Sequence, residues 1–491
     1  MQSMTSCNTS ALSAYVPSPS NPWDSNKVNH VFRRLGFGGS KIDIDQALTQ
    51  LPSEFIDGII DAAIAAPLFP EPSWANMSYN DYINAGLNFD EETQGNHNVI
   101  RLDAINDFFN NSFRSKMLTF WSNHFVTQIE VYYCSNYLYK YYNLLQRNAF
   151  GNFQDFVREV GLNEAMLLYL NGFENGLYGL NENYSRELFE LFTLGENNGY
   201  TQQDIVETAK ALTGYNHWSD EWCSSIYFIE PGNPGSTFMD GEKTIFGQVG
   251  NWGYDDVIDI LFQEKGPLIA GFICEKLYKY FVSPDVNEDI VAEMAASFQL
   301  DWNIENLLRT LFKSEHFFDD RSIGSQIKSP YELIVQYIKI GGFTIDDEQK
   351  MIMHYFAGVI GQKFFDPPNV SGWPGDHSWI NASTLTGRWQ IITHYIWYAW
   401  NNHREELRAL AIDASNNSND PDVVAKSIVD KFVPKELHTI SDYDNATDVF
   451  KANIPQNYFD DGQWDLYWDQ APYQVVLLLL HLAKMPELQI N

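Results

Sequence analysis

The sequence predicts a mainly α protein with one large helical core. From Asn29 onward, apolar residues recur at spacings of three and four residues, which is the period of amphipathic helices and not of strands. The chain has 491 residues, of which 44% are apolar, so it is long enough to bury a large core. Helix start and stop signals separate the apolar blocks, and we find no repeat of fixed period that would indicate a solenoid.

Three of the expected helices have boundaries that the local sequence marks clearly. Each starts with capping or acidic residues, which suit the unpaired N–H groups of a helix N-terminus, and each ends at or next to glycine. The three extend from Thr201 to Gly214, from Ser329 to about Gly341, and from Ile345 to Gly361.

Two stretches of the chain differ from the helical pattern. Residues 223–253 are rich in glycine and contain two short β-prone runs, at 226–229 and 244–246, which predict an excursion with a small β-hairpin. Residues 1–26 are rich in Ser, Asn and Pro, so we expect an extended N-terminal arm ahead of a helical domain at 27–491.

The charge balance and the absence of familiar motifs exclude several classes of function. Asp and Glu total 64 against 31 Lys and Arg, giving a formal charge of −33, which would repel the phosphates of nucleic acid. The sequence contains no phosphate-binding loop, dinucleotide-binding glycine motif, nucleophile elbow or H-E-x-x-H zinc motif. Nucleotide-dependent, Rossmann-type, α/β-hydrolase and zincin functions are therefore not expected.

Neither a secretory signal nor a transmembrane segment is evident in the sequence. Residues 1–22 lack a basic segment followed by an apolar stretch, and the longest apolar run, 475–480, is too short to span a bilayer. The sequence alone therefore predicts a cytoplasmic protein, with the periplasm or the cell surface open to it through co-export with a partner.

The four cysteines are expected to be buried small hydrophobic residues. Their positions contain no C-x-x-C pair, which argues against a zinc ribbon, a thioredoxin-type redox site or a disulfide framework. They are Cys7, Cys134, Cys223 and Cys274.

Five segments, distributed in order over nearly the whole chain, resemble one bacterial family. Two of them are long and specific, namely NENYSRELFELFTLGENNGYTQQDIVETAKALTG at 181–214 and GQKFFDPPNVSGWPGDHSWIN at 361–381. The others are HVFRRLGFG at 30–38, KMLTFWSNHFVT at 116–127, and the segment at 243–250. On these motifs the chain resembles the bacterial domain-of-unknown-function family number 1800.

The resemblance implies a partnership rather than a reaction, because no activity is established for the family. Members are typically encoded beside a second family of unknown function, number 1501, which is similar to sulfatases and alkaline phosphatases and often carries a twin-arginine export signal. The resemblance therefore implies an accessory or binding partner of that sulfatase-like exported protein, acting in the processing or export of a surface polymer.

The chain departs from the family's pattern at two positions. Many members have His where this chain has Phe192, and many have His-Asp where this chain has Phe238-Met239. The chain therefore lacks the histidines on which a metal or acid–base role at these positions would depend.

The first candidate site lies on the helix that starts at Asn183. A period of 3.6 residues places Asn183, Glu187 and Glu190 on one face, and carboxylates three residues apart can share a metal or act as acid and base. The structural alternative is that Arg186 pairs with Glu182 or Glu190. In that alternative Asn183 caps the helix or forms a hydrogen bond. No Glu-x-x-His motif occurs in the chain, which argues against a di-iron site.

The second candidate is His124, on an apolar helix that also carries Lys116 and Asn123. A histidine among apolar neighbours usually stays neutral and donates one ring proton to a backbone or carboxylate acceptor. If it instead faces Glu187 or Glu190, the pair can act as a general base or bind a divalent ion.

The third candidate is the segment 366–381, where prolines and glycines surround two tryptophans. Aromatic faces beside Asp, His and Asn suit a sugar site, since C–H faces stack on indole while hydroxyls bond to polar groups. A loop that only stabilises the fold has a similar sequence, and both interpretations remain open. The residues concerned are Asp366, Trp373, Asp376, His377, Trp379 and Asn381.

These candidates give two functional hypotheses. The first is the accessory role in surface-polymer processing, with a polysaccharide as a possible ligand. The alternative is a hydrolase or lyase acting on polysaccharide, with Glu187, Glu190 and Asp366 as acid–base carboxylates beside His124. We expect no cofactor, although a divalent cation is compatible with the carboxylates, and we expect no nucleic-acid partner.

Burying an unpaired carboxylate costs several kcal/mol, so polar groups within apolar segments are expected to meet one another. We therefore expect His124, Arg186, Glu187 and Glu190 to form one polar network in the helical core. The loop 366–381 is expected to close over its open end.

Overall fold

The computed structural model describes residues 11–217 and 221–491, and it confirms the mainly α architecture. Helices account for most of the described chain, and the strands are only three residues long. The α-helices are α1 (Ser25–Arg34), α2 (Lys41–Ala47), α3 (Pro52–Ala65), α4 (Tyr79–Asn84), α5 (Phe89–Asn110), α6 (Ser112–His124), α7 (Ile129–Tyr132), α8 (Ser135–Asn148), α9 (Phe153–Gly161), α10 (Glu164–Tyr169), α11 (Asn183–Glu187), α12 (Gln202–Ala211), α13 (Tyr254–Phe281), α14 (Glu288–Phe298), α15 (Ile304–Phe312), α16 (Pro330–Gly341), α17 (Asp347–Val359), α18 (Ala382–Asn402), α19 (Arg404–Ser415), α20 (Pro421–Phe432), α21 (Ile440–Lys451), α22 (Gln456–Asp460) and α23 (Ala471–Leu482).

Four short helical segments of other types complete the list. A π-helix at Leu188–Thr193 continues directly from α11, so the regular 3.6-residue period ends at Glu187. The 3₁₀ segments are Gly172–Glu174, Asp376–Trp379 and Pro486–Gln489.

The capping signals predict the observed helix boundaries well. The Thr201 side chain accepts a hydrogen bond from the Asp204 backbone N–H, and the Asp204 side chain accepts one from the Thr201 N–H, which starts α12. The same reciprocal arrangement joins Ser329 and Glu332 at the start of α16, which ends at Gly342 in the left-handed conformation. The predicted helices at 201–214, 329–341 and 345–361 are confirmed within a few residues.

Most buried apolar side chains belong to one contiguous cluster, in which α13 occupies a central position. This 28-residue helix packs against α9, α12, α14 and the π-helix. The neighbouring α6 is buried over nearly its whole circumference, in agreement with its apolar sequence. Polar groups on these two helices are therefore forced to find partners inside the core.

The β structure consists of two separate two-stranded antiparallel sheets. Strand β1 (Tyr215–His217) pairs with β2 (Ile226–Phe228), and β3 (Lys243–Ile245) pairs with β4 (Gln248–Gly250). The β3–β4 pair confirms the expected small hairpin within 223–253, and the other β-prone run, 226–229, contains strand β2. The β1 strand lies before the predicted excursion, because α12 ends at Ala211 and frees the chain for pairing.

The expectation that no cysteines pair was wrong for two of them. Cys134 and Cys223 form a disulfide with a Cα–Cα distance of 5.5 Å, although 89 residues separate them in sequence. The sequence offered no pairing signal because the contact depends on docking the 221–229 segment against α8. Cys274 is buried and free, as expected, and Cys7 lies outside the described residues.

Part of the predicted N-terminal arm is described. The Tyr15 backbone N–H donates to the Lys313 carbonyl, and Ala14 pairs with Ser314, so this stretch lies against the end of α15. Residues 1–10 of the arm lie outside the described residues.

Among the helices of the described ranges, none is both long enough and apolar enough to cross a membrane.

Candidate functional site

A cavity of about 490 Å³ lies between α6, α13, the start of α16 and the loop that joins α17 to α18. Positions 119, 120, 123 and 124 form a stripe on α6, and positions 276, 279 and 280 form one on α13, since residues three or four apart share a helix face. The loop contributes Trp373, Asp376 and Trp379. The segments 116–127 and 361–381 therefore meet at one site.

His124 is the last residue of α6 and is 3% exposed. Its Nε2 lies 3.0 Å from the Phe192 carbonyl oxygen, which can only accept, so Nε2 carries the ring proton. The Nδ1 lone pair then accepts a hydrogen bond from the Lys276 ammonium at 3.0 Å. Burial and, next, Lys276 hold the pKa of His124 well below its ordinary value, so the imidazole is neutral.

The π-helix supplies the acceptors for this arrangement. The last carbonyls of a helix have no partner within it, and Leu191 and Phe192 belong to the last turn of the Leu188–Thr193 segment. The Phe192 carbonyl accepts from His124, and the Leu191 carbonyl lies 3.4 Å from Lys276 Nζ. A local departure from α geometry thereby orients both polar side chains.

Lys276 is a half-buried cation without a carboxylate partner among the described residues. Its Nζ contacts His124 and the Leu191 carbonyl, and it lies 4.8 Å from the centroid of the Phe272 ring. Burial lowers the pKa of Lys276 to about 8, and no nearby carboxylate opposes this shift.

Glu332 also lines the cavity, but its charge is compensated. It forms an ion pair with the buried Lys116, and its second oxygen accepts from the Ser329 N–H at 2.7 Å. Burial acts to raise the pKa of Glu332, but Lys116, the Ser329 N–H and Arg34 together hold it below its ordinary value. The carboxylate is therefore ionised and already bonded.

The 366–381 loop is fastened to α6 through one side chain. Asn123 accepts from the Trp373 N–H at 2.6 Å and donates to the Trp373 carbonyl at 3.1 Å. Gly372, at φ +79°, permits this contact, because a Cβ there would lie 2.8 Å from the Asn123 carbonyl oxygen and closer still to its side-chain oxygen. Trp373 is 4% exposed, and its indole N–H has no acceptor among the described residues.

The other predicted residues of the loop have different roles. Asp376 lines the cavity, and the neighbouring His377 side chain is 91% exposed. Asn381 caps α18 by accepting from the backbone N–H groups of residues 383 and 384. Asp366 does not line the cavity; it lies against α7, accepting from the Glu130 N–H and pairing with Lys363 at 3.0 Å.

The candidate residues of the Asn183 helix lie apart from the cavity lining. Arg186 pairs with Glu182 at 3.1 Å and with Glu190 at 3.4 Å, while Asn183 donates to the Leu170 carbonyl. Burial and the charge of Glu190 raise the pKa of Glu187. The hydrogen bonds of His124 go to Phe192 and Lys276 instead, so the expected network that joins His124 to these carboxylates does not form.

The residues that sequence reasoning missed are Lys276 and Glu332. Lys276 interrupts an aromatic stripe, standing four residues after Phe272 and four before Tyr280, and this spacing was a usable signal. The position of Glu332 in the sequence is explained by its role in capping α16, so the sequence gives no separate signal that it lines a cavity. Within residues 11–217 and 221–491, no group of three or more His, Cys, Asp or Glu side chains is placed to hold a metal ion.

Comparison with known proteins identifies a family without a known activity. A family model described as a protein of unknown function, DUF1800, matches residues 30–490. No curated protein matches the chain, and no solved structure matches it.

Proposed function

This chain belongs to the DUF1800 family, and we propose, from the geometry of its cavity, that it binds an acidic saccharide unit there. The observation that carries the proposal is the Lys276 ammonium. It has three N–H groups, and His124 and the Leu191 carbonyl engage two of them, which leaves one for a ligand. A carboxylate or sulfate group on the ligand would supply the charge that the described residues do not.

The walls of the cavity suit a sugar ring. Phe120, Tyr280, Trp373 and Trp379 provide aromatic surface along the cavity. A volume of about 490 Å³ lies within the usual range for small-ligand sites, about 300–1,000 Å³.

Binding is better supported than hydrolysis. Glycoside hydrolysis typically uses two carboxyl groups on either side of the bond, and neither Glu187, Glu190 nor Asp366 is among the cavity-lining residues. Glu332 is engaged by Lys116, so Asp376 is left as the carboxylate available to a ligand. The hydrolase or lyase alternative thus has less support than a binding role.

The proposal fits an accessory role in surface-polymer processing. A protein that holds an acidic sugar residue can present the polymer to a second, catalytic protein, and the sulfatase-like family implied by the resemblance is the candidate for that second protein. This partnership and any divalent cation remain proposals.

Titration with three short oligosaccharides tests the binding proposal, namely one rich in uronic acid, one sulfated, and one neutral. Trp373 and Trp379 should report binding through fluorescence, with calorimetry as the second measurement. We expect at least one acidic oligosaccharide to bind and the neutral one to bind far more weakly.

Lys276→Met should weaken the acidic ligand by about 10- to 100-fold, since a hydrogen bond to a charged group contributes about 1.5–3 kcal/mol. The matched control is Lys350→Met, which removes a lysine that pairs with Asp347 away from the cavity. Equal affinity for acidic and neutral ligands, or an unchanged affinity in Lys276→Met, would contradict the proposal.

A further inference from the structure

Lys276 has the surroundings of an amine nucleophile as well as those of an anion-binding group. Lys276 lines the cavity, and the closest polar neighbour of its Nζ is the His124 Nδ1, whose lone pair faces the amine. Two other buried lysines are placed differently: Lys116 pairs with Glu332, and Lys328, which does not line the cavity, donates to the Leu488 carbonyl.

We propose that the Lys276 amine forms an imine with a small aldehyde or ketone that carries a carboxylate group and occupies the cavity. This inference goes beyond the proposed saccharide binding, because it requires a free carbonyl carbon and not a sugar ring. The ligand's carboxylate would meet a second cation that lines the cavity, the Lys279 ammonium, which is paired with Glu275.

The reaction balances with the groups present. The Nζ lone pair attacks the carbonyl carbon, a C–N bond forms, and the carbonyl oxygen takes up the π electrons. The nitrogen then gives up both of its protons through His124 Nδ1. The first converts the alkoxide to the carbinolamine hydroxyl, and the second protonates that hydroxyl, which leaves as water while the nitrogen lone pair forms the C=N bond. One amine and one carbonyl compound thus give one imine and one water, without any oxidant or reductant.

The environment of Lys276 supports this chemistry. Amine nucleophiles react in the neutral form, and burial lowers the pKa of Lys276 to about 8, so a useful fraction is neutral near physiological pH. The charged groups around the cavity are Glu332 on α16, Asp376 on the loop, and Lys279 with its partner Glu275 on α13. His124 on α6 is neutral, and its Nδ1 lies 3.0 Å from Lys276 Nζ, where it can relay a proton.

Lys339 is a matched comparison within the same protein. Burial lowers its pKa to about 8 as well, and it lines a separate cavity of about 430 Å³. Its Nζ contacts the Ser112 hydroxyl at 2.7 Å and the Phe109 carbonyl at 3.3 Å, with no imidazole beside it. A difference in reactivity between the two lysines therefore reports on His124 and the cavity.

Reductive trapping tests the inference directly. The full chain is incubated at pH 8 with glyoxylate and cyanoborohydride, which converts an imine to a stable secondary amine, and the modified lysines are located by peptide mass spectrometry. We expect Lys276 to react on the order of tenfold or more faster than Lys339 and Lys279, since a positioned proton acceptor typically gives such factors or larger. The advantage should disappear when the chain is unfolded in urea.

Two variants test whether His124 is responsible for the reactivity of Lys276. His124→Gln should slow the labelling of Lys276 by about tenfold and leave that of Lys339 unchanged, while Lys276→Arg should remove the labelled peptide. If His124→Gln does not fold, the labelling rates of Lys276 and Lys339 in the native chain still test the inference.

Labelling of Lys276 no faster than that of Lys339 would overturn the inference and leave saccharide binding intact. Conversely, rapid labelling without affinity for acidic oligosaccharides would overturn the binding proposal alone.

Discussion

The two cavities that contain a lysine with a lowered pKa differ in how the rest of the chain is arranged around them. The first, beside Lys276, is lined by the 366–381 loop and by Glu332, which pairs with Lys116. The second, beside Lys339, is formed by α1, α3 and the junction of α5 with α6. Burial lowers the pKa of both lysines, but among the described residues Lys276 contacts a buried imidazole and Lys339 does not, and tryptophans of the 366–381 loop line the Lys276 cavity. A lowered lysine pKa therefore does not identify a site unless the surrounding groups can use it.

A capping carboxylate lines each cavity, and the two give a direct comparison. Glu332 caps α16 and compensates the buried Lys116, whereas the exposed Asp43 caps α2 and acts on Lys339 only at a distance. Glu332→Gln should reduce the free energy of unfolding by about 3–5 kcal/mol, because it leaves a buried charge unpaired. Asp43→Asn should cost about 1 kcal/mol or less, the usual value of a cap. Urea unfolding of the two variants measures both.

The same pair has a defined pH dependence. The folded pKa of Glu332 is lowered, so its contribution to stability is present above the unfolded pKa and is lost as the pH falls through the folded value. Wild-type protein should therefore lose more stability than Glu332→Gln between neutral and strongly acidic pH. If the wild type and Glu332→Gln lose the same stability as the pH falls, the ion pair does not account for the difference between the two cavities.

The 366–381 loop lines the first cavity and not the second. The methyl group of an alanine at position 372 should displace this loop. Gly372→Ala should reduce the free energy of unfolding by about 1–3 kcal/mol more than Gly375→Ala does, because overpacking adds to the cost of the positive φ. Both glycines have positive φ, but a Cβ on Gly375 would meet nothing within 4 Å. Thermal melts measure the stability, and oligosaccharide titration should show weaker binding for Gly372→Ala. Equal behaviour of the two variants would mean that the contact with Asn123 does not hold the loop.

A further expected effect is the pH dependence of binding in the first cavity. The charged form of Lys276 binds the anion, so affinity should be constant well below pH 8 and decline as the pH rises through about 8, approaching tenfold per unit. Imine trapping should change in the opposite direction over the same range, because it needs the neutral amine. Lys276→Arg should bind with no such decline, since its guanidinium stays protonated. An affinity that is independent of pH up to 10 in the wild type would argue against Lys276 as the anion-binding group.

Sequence reasoning located parts of the candidate site but not their partners. His124 and the loop 366–381 were selected because polar groups stand in apolar or sharply turning segments, and the structure places both at one cavity. The selection of Glu187 and Glu190 assumed a continuous 3.6-residue period, which the π-helix after Glu187 interrupts. Lys276 is not among the predicted site residues, and a lysine on a long helix usually reaches solvent.

The sequence by itself determined the helical fold class, the boundaries of α12, α16 and α17, and the family, because hydrophobic periodicity and capping are local properties read within about one or two helical turns. The tertiary structure decided what meets across long separations. It pairs Cys134 with Cys223 and Lys116 with Glu332, and it turns His124 toward Lys276, 152 residues away. These contacts depend on how the helices pack around one core. A single sequence indicates which polar groups need partners, but it does not indicate which groups the packing brings to them.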